Sequence, residues 1–160
     1  MALRPAPRHA VGQSVLIVDD DPATCVTFGE ALRLAGLRVE TAETGQAALK
    51  SLRRSTFDLL LLDLRLPDMS GLELIRTRRV PFMLISGFLT IAETVEAMRL
   101  GAREVLEKPV EVDVLCDRVV SFLAASPHGS SGKAIAPPCF VGLVACSRVA
   151  LPRRAGREWS

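Results

Sequence analysis

The sequence offers no apolar run of the ~20 residues that a membrane-spanning helix requires. The longest late run, CFVGLVAC at 139–146, is far shorter. The N-terminus, MALRPAPRHAVGQ, lacks the apolar core of a secretory signal. A cysteine framework is missing too: Cys25 and Cys116 fall in helix-like patterns, while Cys139 and Cys146 lie in an irregular late stretch. Such spacing reads as reduced thiols of a cytoplasmic protein rather than a disulfide scaffold or a metal site. There are no long polar tracts, and with 49% apolar residues the chain can bury a core. Basic excess is absent where a domain would sit. Of a net +2, the late residues Lys133, Arg148, Arg153, Arg154 and Arg157 against Glu158 supply +4, and Arg4 and Arg8 another +2, leaving −4 for residues 14–126. A mildly acidic body carries no electrostatic footprint for direct nucleic-acid binding.

What is present is an alternation. Five short β-rich runs, SVLIVD, LRVETA, FDLLLLDL, PFMLIS and REVLEK, are separated by helix-like stretches. VLIV and LLLL are apolar at every position, as strands covered on both faces should be. Cys25, Phe28, Leu32 and Ala35 share one helix face that Gly36 terminates. TGQAALKSLRRS and SGLELIRTRR follow. Ile91, Val95 and Met98 make a stripe on the fourth helix, and Val112, Leu115, Val119 and Phe122 one on the fifth. Strands alternating with helices of this length imply an α/β fold, a doubly wound five-stranded parallel sheet with helices on both faces. The domain spans 14–125, after an N-terminal extension at 1–13. From 126 to 160, Gly, Ser and the pair Pro137-Pro138 break any periodicity. That segment reads as a flexible tail without a recognisable output domain, too short and irregular for a helix-turn-helix module.

Sites in open parallel sheets form at the carboxyl ends of the strands, where strand order reverses. Asp19 and Asp20 end the first strand and Asp63 the third; Ser86 ends the fourth and Lys108 follows the fifth. With strand order 2-1-3-4-5, three carboxylates, a hydroxyl and an ammonium meet on one rim. Side-by-side carboxylates repel, so the cluster reads as a cation site suited to octahedral Mg²⁺, completed by a backbone carbonyl and waters. Asp21 directly precedes Pro22 and reads as a helix N-cap. Asp68, after Pro67, reads as a turn residue.

VLIVDDDP, LLLLDLRLPDMSGLEL, MLISG and EVLEKPV, in this order and spacing, resemble the receiver domain of two-component response regulators. The resemblance covers about Ser14 to Ala125. It implies a flavodoxin-like arrangement in which Asp63 is the phosphoacceptor, taking its phosphoryl group from a sensor histidine kinase or phosphotransfer protein. Asp20, Asp63 and the backbone carbonyl of Arg65 would hold Mg²⁺, with Asp19 acting mainly through a bound water. Lys108 would pair with phosphoryl oxygens, and Ser86 would hydrogen-bond the attached group. The resemblance further implies a cis Lys108–Pro109 bond, and a homodimer or partner contact through helix four, strand five and helix five. It makes the chain a signalling domain rather than an enzyme. Physical reasoning agrees, because a carboxylate attacking an anionic phosphoryl group needs cations to offset the charge brought together.

The pattern is not matched throughout: Ser86 stands where Thr is usual, keeping the hydroxyl. Receivers commonly carry Phe or Tyr three residues before the lysine; here it is Val105, which has no ring to swing and few rotamers. Two other readings compete. A degenerate receiver would serve only as a protein-binding module. A haloacid-dehalogenase-like phosphatase would use Asp19 as nucleophile and Asp21 as acid/base, leaving Asp63 unexplained.

Overall fold

The computed structural model describes residues 12–126. The N-terminal extension up to residue 11 and the expected tail from 127 onward lie outside the described residues. The chain alternates β1 (Ser14–Val18), α1 (Pro22–Leu34), β2 (Arg38–Ala42), α2 (Gly45–Arg54), β3 (Leu59–Leu62), α3 (Gly71–Thr77), β4 (Phe82–Ser86), α4 (Ile91–Arg99), β5 (Ala102–Glu107) and α5 (Val112–Ala125). All pairings are parallel and the sheet order is β2-β1-β3-β4-β5. The order reverses between β1 and β3, whose ends are held in register by Val18 opposite Leu62.

The two-residue period of the strands divides the core into two layers. Val15, Ile17, Leu59, Leu61, Met83 and Ile85 point to one face, where Cys25, Phe28 and Leu32 of α1 and Leu115, Val119 and Leu123 of α5 cover them. Leu16, Val18, Leu60, Leu62, Phe82 and Leu84 point to the other, under Ala48 of α2, Leu72, Leu74 and Ile75 of α3, and Ala97 of α4. Each fully buried leucine stabilises the fold by roughly 1.5–3 kcal/mol relative to exposure. Helix ends follow their local signals. Pro22 opens α1, and Gly36, at φ 90°, ends the turn behind it. Ser70 with Glu73 and Thr90 with Glu93 form capping boxes on α3 and α4.

Two expectations need correction. The third helix stops at Thr77, so Arg78 and Arg79 belong to the connection rather than to SGLELIRTRR as a continuous helix. On α4, the stripe of Ile91, Val95 and Met98 is not the buried face: Ile91 is 86% and Val95 44% exposed, and the fully buried residue is Ala97. A side chain no larger than a methyl lets α4 lie close over the sheet; Ile91 and Val95 turn outward, while Met98, next to Ala97, is half-buried and packs against the core. At the outer edge of the sheet, the Arg33 guanidinium donates to the carbonyl oxygen of Val39 on β2 (3.2 Å).

Candidate functional site

Backbone hydrogen bonds fix the strand ends from which the acidic residues project. The Asp63 amide donates to the Val18 carbonyl (2.8 Å) and the Asp19 amide to the Ala42 carbonyl (3.1 Å). Asp19 and Asp63 are buried, whereas Asp20 is exposed. Carboxylate oxygens of the three lie within 4.8 Å of one another. Lys108 completes the group: its ammonium donates to Asp19 Oδ2 (2.6 Å) and to Asp63 Oδ2 (2.7 Å). The remaining oxygens are also engaged, Asp19 Oδ1 by the Asp21 amide (3.0 Å) and Asp63 Oδ1 by the Arg65 amide (2.9 Å).

These contacts account for the acid–base balance. Burial pushes the Asp19 carboxyl above its ordinary value, against the pull of Lys108 and of the Asp21 amide. For Lys108, burial works to lower the value, but the hydrogen bonds to Asp19 and Asp63 outweigh it and the ammonium is held more firmly than usual. Three carboxylates against one ammonium leave two negative charges unmatched in a partly desolvated cleft. An all-oxygen donor set of that charge fits a hard divalent cation such as Mg²⁺.

Ser86 lies beside this group, fully buried, with its Oγ lacking a hydrogen-bond partner among the described residues. Its carbonyl accepts from the Lys108 amide (2.9 Å), so the hydroxyl and the ammonium are carried by one backbone link. The Lys108–Pro109 bond is cis, as expected. A Cβ at Gly87, the residue after Ser86, would meet nothing within 4 Å. A second glycine acts sterically: a Cβ at Gly71 would sit 2.3 Å from the carbonyl oxygen of Asp63. Only glycine lets the first turn of α3 press against the backbone that presents Asp63.

Asp21 is an N-cap, its carboxylate accepting from the Ala23 amide (3.1 Å) and from the Thr24 amide and hydroxyl (3.3 and 2.7 Å). Hydrogen bonds from the Thr24 hydroxyl and the Ala23 amide hold its pKa below the ordinary value. Asp68 does more than shape a turn: it reaches 23 residues back and accepts from the Gly45 and Gln46 amides (2.8 Å each), capping α2 jointly with Thr44. Nothing in the local sequence signals so distant a cap. Arg65, singled out for its carbonyl, also sends its side chain to Glu93 at the start of α4 (3.0 Å). The sequence marks only one end of this pair: T-x-x-E at Thr90 signals the capping box that fixes Glu93, and nothing local points Arg65 to it.

A sequence model of the response regulator receiver domain matches residues 15–120. The chain belongs to the receiver family. Among curated proteins this receiver is 36% identical over 117 residues to the cell cycle transcriptional regulator CtrA of Caulobacter vibrioides, an alignment covering 70% of this chain and 51% of that protein. Among solved structures it is similar to a CheY-like receiver domain protein from Methanospirillum hungatei (TM-score 0.67, 30% identity, 70% of this chain and 94% of that one). It is also similar to the BeF3-activated receiver domain of DrrB (TM-score 0.64, 30% identity, 71% of this chain and 98% of that one). The chain spans about half, or less, of the length of the curated relatives it matches. The receiver is a signalling domain, and the phosphatase alternative is set aside: Asp21, its required acid, is committed to the helix cap, and Asp63 stands at the centre of the cluster. No helix among the described residues is long and apolar enough to cross a membrane.

Proposed function

We propose that Asp63 accepts a phosphoryl group from a phosphohistidine on a sensor histidine kinase or phosphotransfer protein. Asp19, Asp20, Asp63 and the Arg65 carbonyl would hold the Mg²⁺ on which the reaction depends. The observation that carries this reading is the ammonium of Lys108 bridging two buried carboxylates beside a third, with the buried hydroxyl of Ser86, on the strand whose end is bonded to the Lys108 amide, lacking a partner among the described residues.

A carboxylate oxygen of Asp63 attacks phosphorus, and the P–N bond breaks with its electron pair passing to the imidazole nitrogen. Held by Asp19, Asp20, Asp63 and the Arg65 carbonyl, a divalent cation would offset charge on the carboxylates and the phosphoryl oxygens. Lys108, already within hydrogen-bond distance of Asp63, turns its ammonium to a phosphoryl oxygen as the carboxylate charge moves there. Ser86 gains in that oxygen the acceptor it otherwise lacks. Arg65 and Gly71 keep Asp63 in place, one by its amide and the other by its lack of a side chain.

Incubation with radiolabelled acetyl phosphate tests this directly. The intact chain should take up label only with Mg²⁺ present. Asp63→Asn should melt like the parent and take up none; full labelling of that variant would defeat the assignment.

A further inference from the structure

One side chain connects the acidic cluster to a different part of the fold. Arg65 sits two residues beyond Asp63 and donates its amide to Asp63 Oδ1 (2.9 Å). Its guanidinium donates to Glu93 Oε1 (3.0 Å). The other oxygen of the same carboxylate, Oε2, accepts from the Thr90 amide (2.9 Å) and hydroxyl (2.8 Å), which is the N-terminal cap of α4. A single carboxylate thus joins the loop that presents the site to the start of a helix 28 residues later. The helix it caps is lightly anchored. Only Ala97 is buried along α4, Met98 is half-buried against the core, and the side-chain tie to α3 is the ion pair of Arg76 with Glu96. The position where an aromatic ring would link the site to this face holds Val105, half-buried and packed against the core.

We propose that the Arg65–Glu93 ion pair couples occupancy of the acidic site to the N-terminus of α4, with Arg65 as a positioning residue. The inference rests on the phosphoacceptor reading above. A ligand bound between Asp63 and Lys108 competes for the Asp63 oxygens and moves the backbone from which Arg65 extends. Arg65 then pulls on, or releases, the carboxylate that caps α4. The pair is exposed, and such pairs shift an equilibrium by at most about fivefold. A weak link suits this role, because a strong one would lock α4 in a single arrangement.

Hydrogen exchange of the full chain, with and without Mg²⁺ plus beryllofluoride as a phosphoryl stand-in, tests the coupling. In the parent, ligand should change protection at residues 19–20 and 63–65 and again at 90–99. Arg65→Met and Glu93→Gln should each keep the response at the acidic residues while reducing that of 90–99 by about twofold to fivefold. The glutamine retains an acceptor for the Thr90 amide, so the cap survives. Arg65→Lys should restore part of the response, and the double variant should be no worse than either single one. A full response of 90–99 in both single variants overturns the coupling and leaves the phosphoacceptor reading standing. Loss of protection at 94–99 without ligand would make the pair merely structural and overturn it as well. Absence of any ligand response at residues 19–20 and 63 in the parent defeats both readings.

Discussion

The α1–α5 pair and α4, on opposite faces of the sheet, are held by different physics. On one, α1 and α5 pack against each other and against β1, β3 and β4 through Cys25, Phe28, Leu32, Leu115, Cys116, Val119 and Leu123, all buried. On the other, α4 contributes Ala97 to the core, shows Ile91 and Val95 to solvent, and is tied to its surroundings by ion pairs and a capping box. The first face is a scaffold whose position is set by dispersion and burial. On the second, α2 and α3 are anchored by burial as well, and α4 is the adjustable element, since exposed ion pairs are individually weak and elements with few buried contacts open at low free energy. The acidic site stands on the central strands between the two faces, and the proposed coupling through Arg65 runs to α4, more lightly anchored than the α1–α5 pair.

Core truncation gives the largest test of this contrast. Leu115→Ala should destabilise by about 2–5 kcal/mol, whereas Ile91→Ala should stay within about 0.5 kcal/mol of the parent, read by denaturant unfolding. Comparable losses at the two positions would abolish the distinction. Next in size is Gly71→Ala. Its methyl group would collide with the Asp63 carbonyl, and overpacking of this kind lowers stability by about 1–3 kcal/mol. On the proposed phosphoacceptor role, labelling of Asp63 should fall more than the stability loss explains, because the collision displaces the backbone that carries it.

A finer contrast separates two neighbours. Asp20→Asn should weaken Mg²⁺ binding, measured by calorimetry, by more than the ~10-fold typical of losing a supporting partner. Asp21→Asn should leave it nearly unchanged, since asparagine caps a helix as well as aspartate does. The reverse order would show that the cap and the ligand have been exchanged. The smallest effect is a pH dependence at Asp68. Hydrogen bonds from the Gln46 and Gly45 amides hold its pKa below the ordinary 3.8. The folded state therefore binds that proton less readily than the unfolded one. The stability Asp68 contributes is present above 3.8 and disappears as pH falls through its lowered value. Asp68→Asn should flatten that part of the acid melting curve; an unchanged curve would remove Asp68 as the α2 cap.

Much of this was legible in the sequence because the signals were local or positional. VLIV and LLLL announce buried strands by composition alone, Asp21-Pro22 announces a cap, and strand-end carboxylates must meet once the strand order is known. What escaped depends on distance or on a choice between faces. Periodicity located α4 but could not tell its apolar stripe from its contact face, because alanine at 97 is silent in a hydrophobic count. The cap that Asp68 supplies to α2, and the reach of Arg65 to Glu93, join residues 22 or more apart that only the closed sheet brings together. Ser86 was found as a hydroxyl at a strand end, but its lack of a partner is a property of packing.

The Arg33 contact at β2 bears on how copies of the chain meet. An open sheet presents a row of unpaired amides and carbonyls at its border, a template on which another chain can add a strand. Here the Val39 carbonyl on that border is already taken by a guanidinium, and exposed Arg38, Glu40 and Thr41 surround it with polar groups. Strand-to-strand accretion, the route to aggregates, is obstructed at that border.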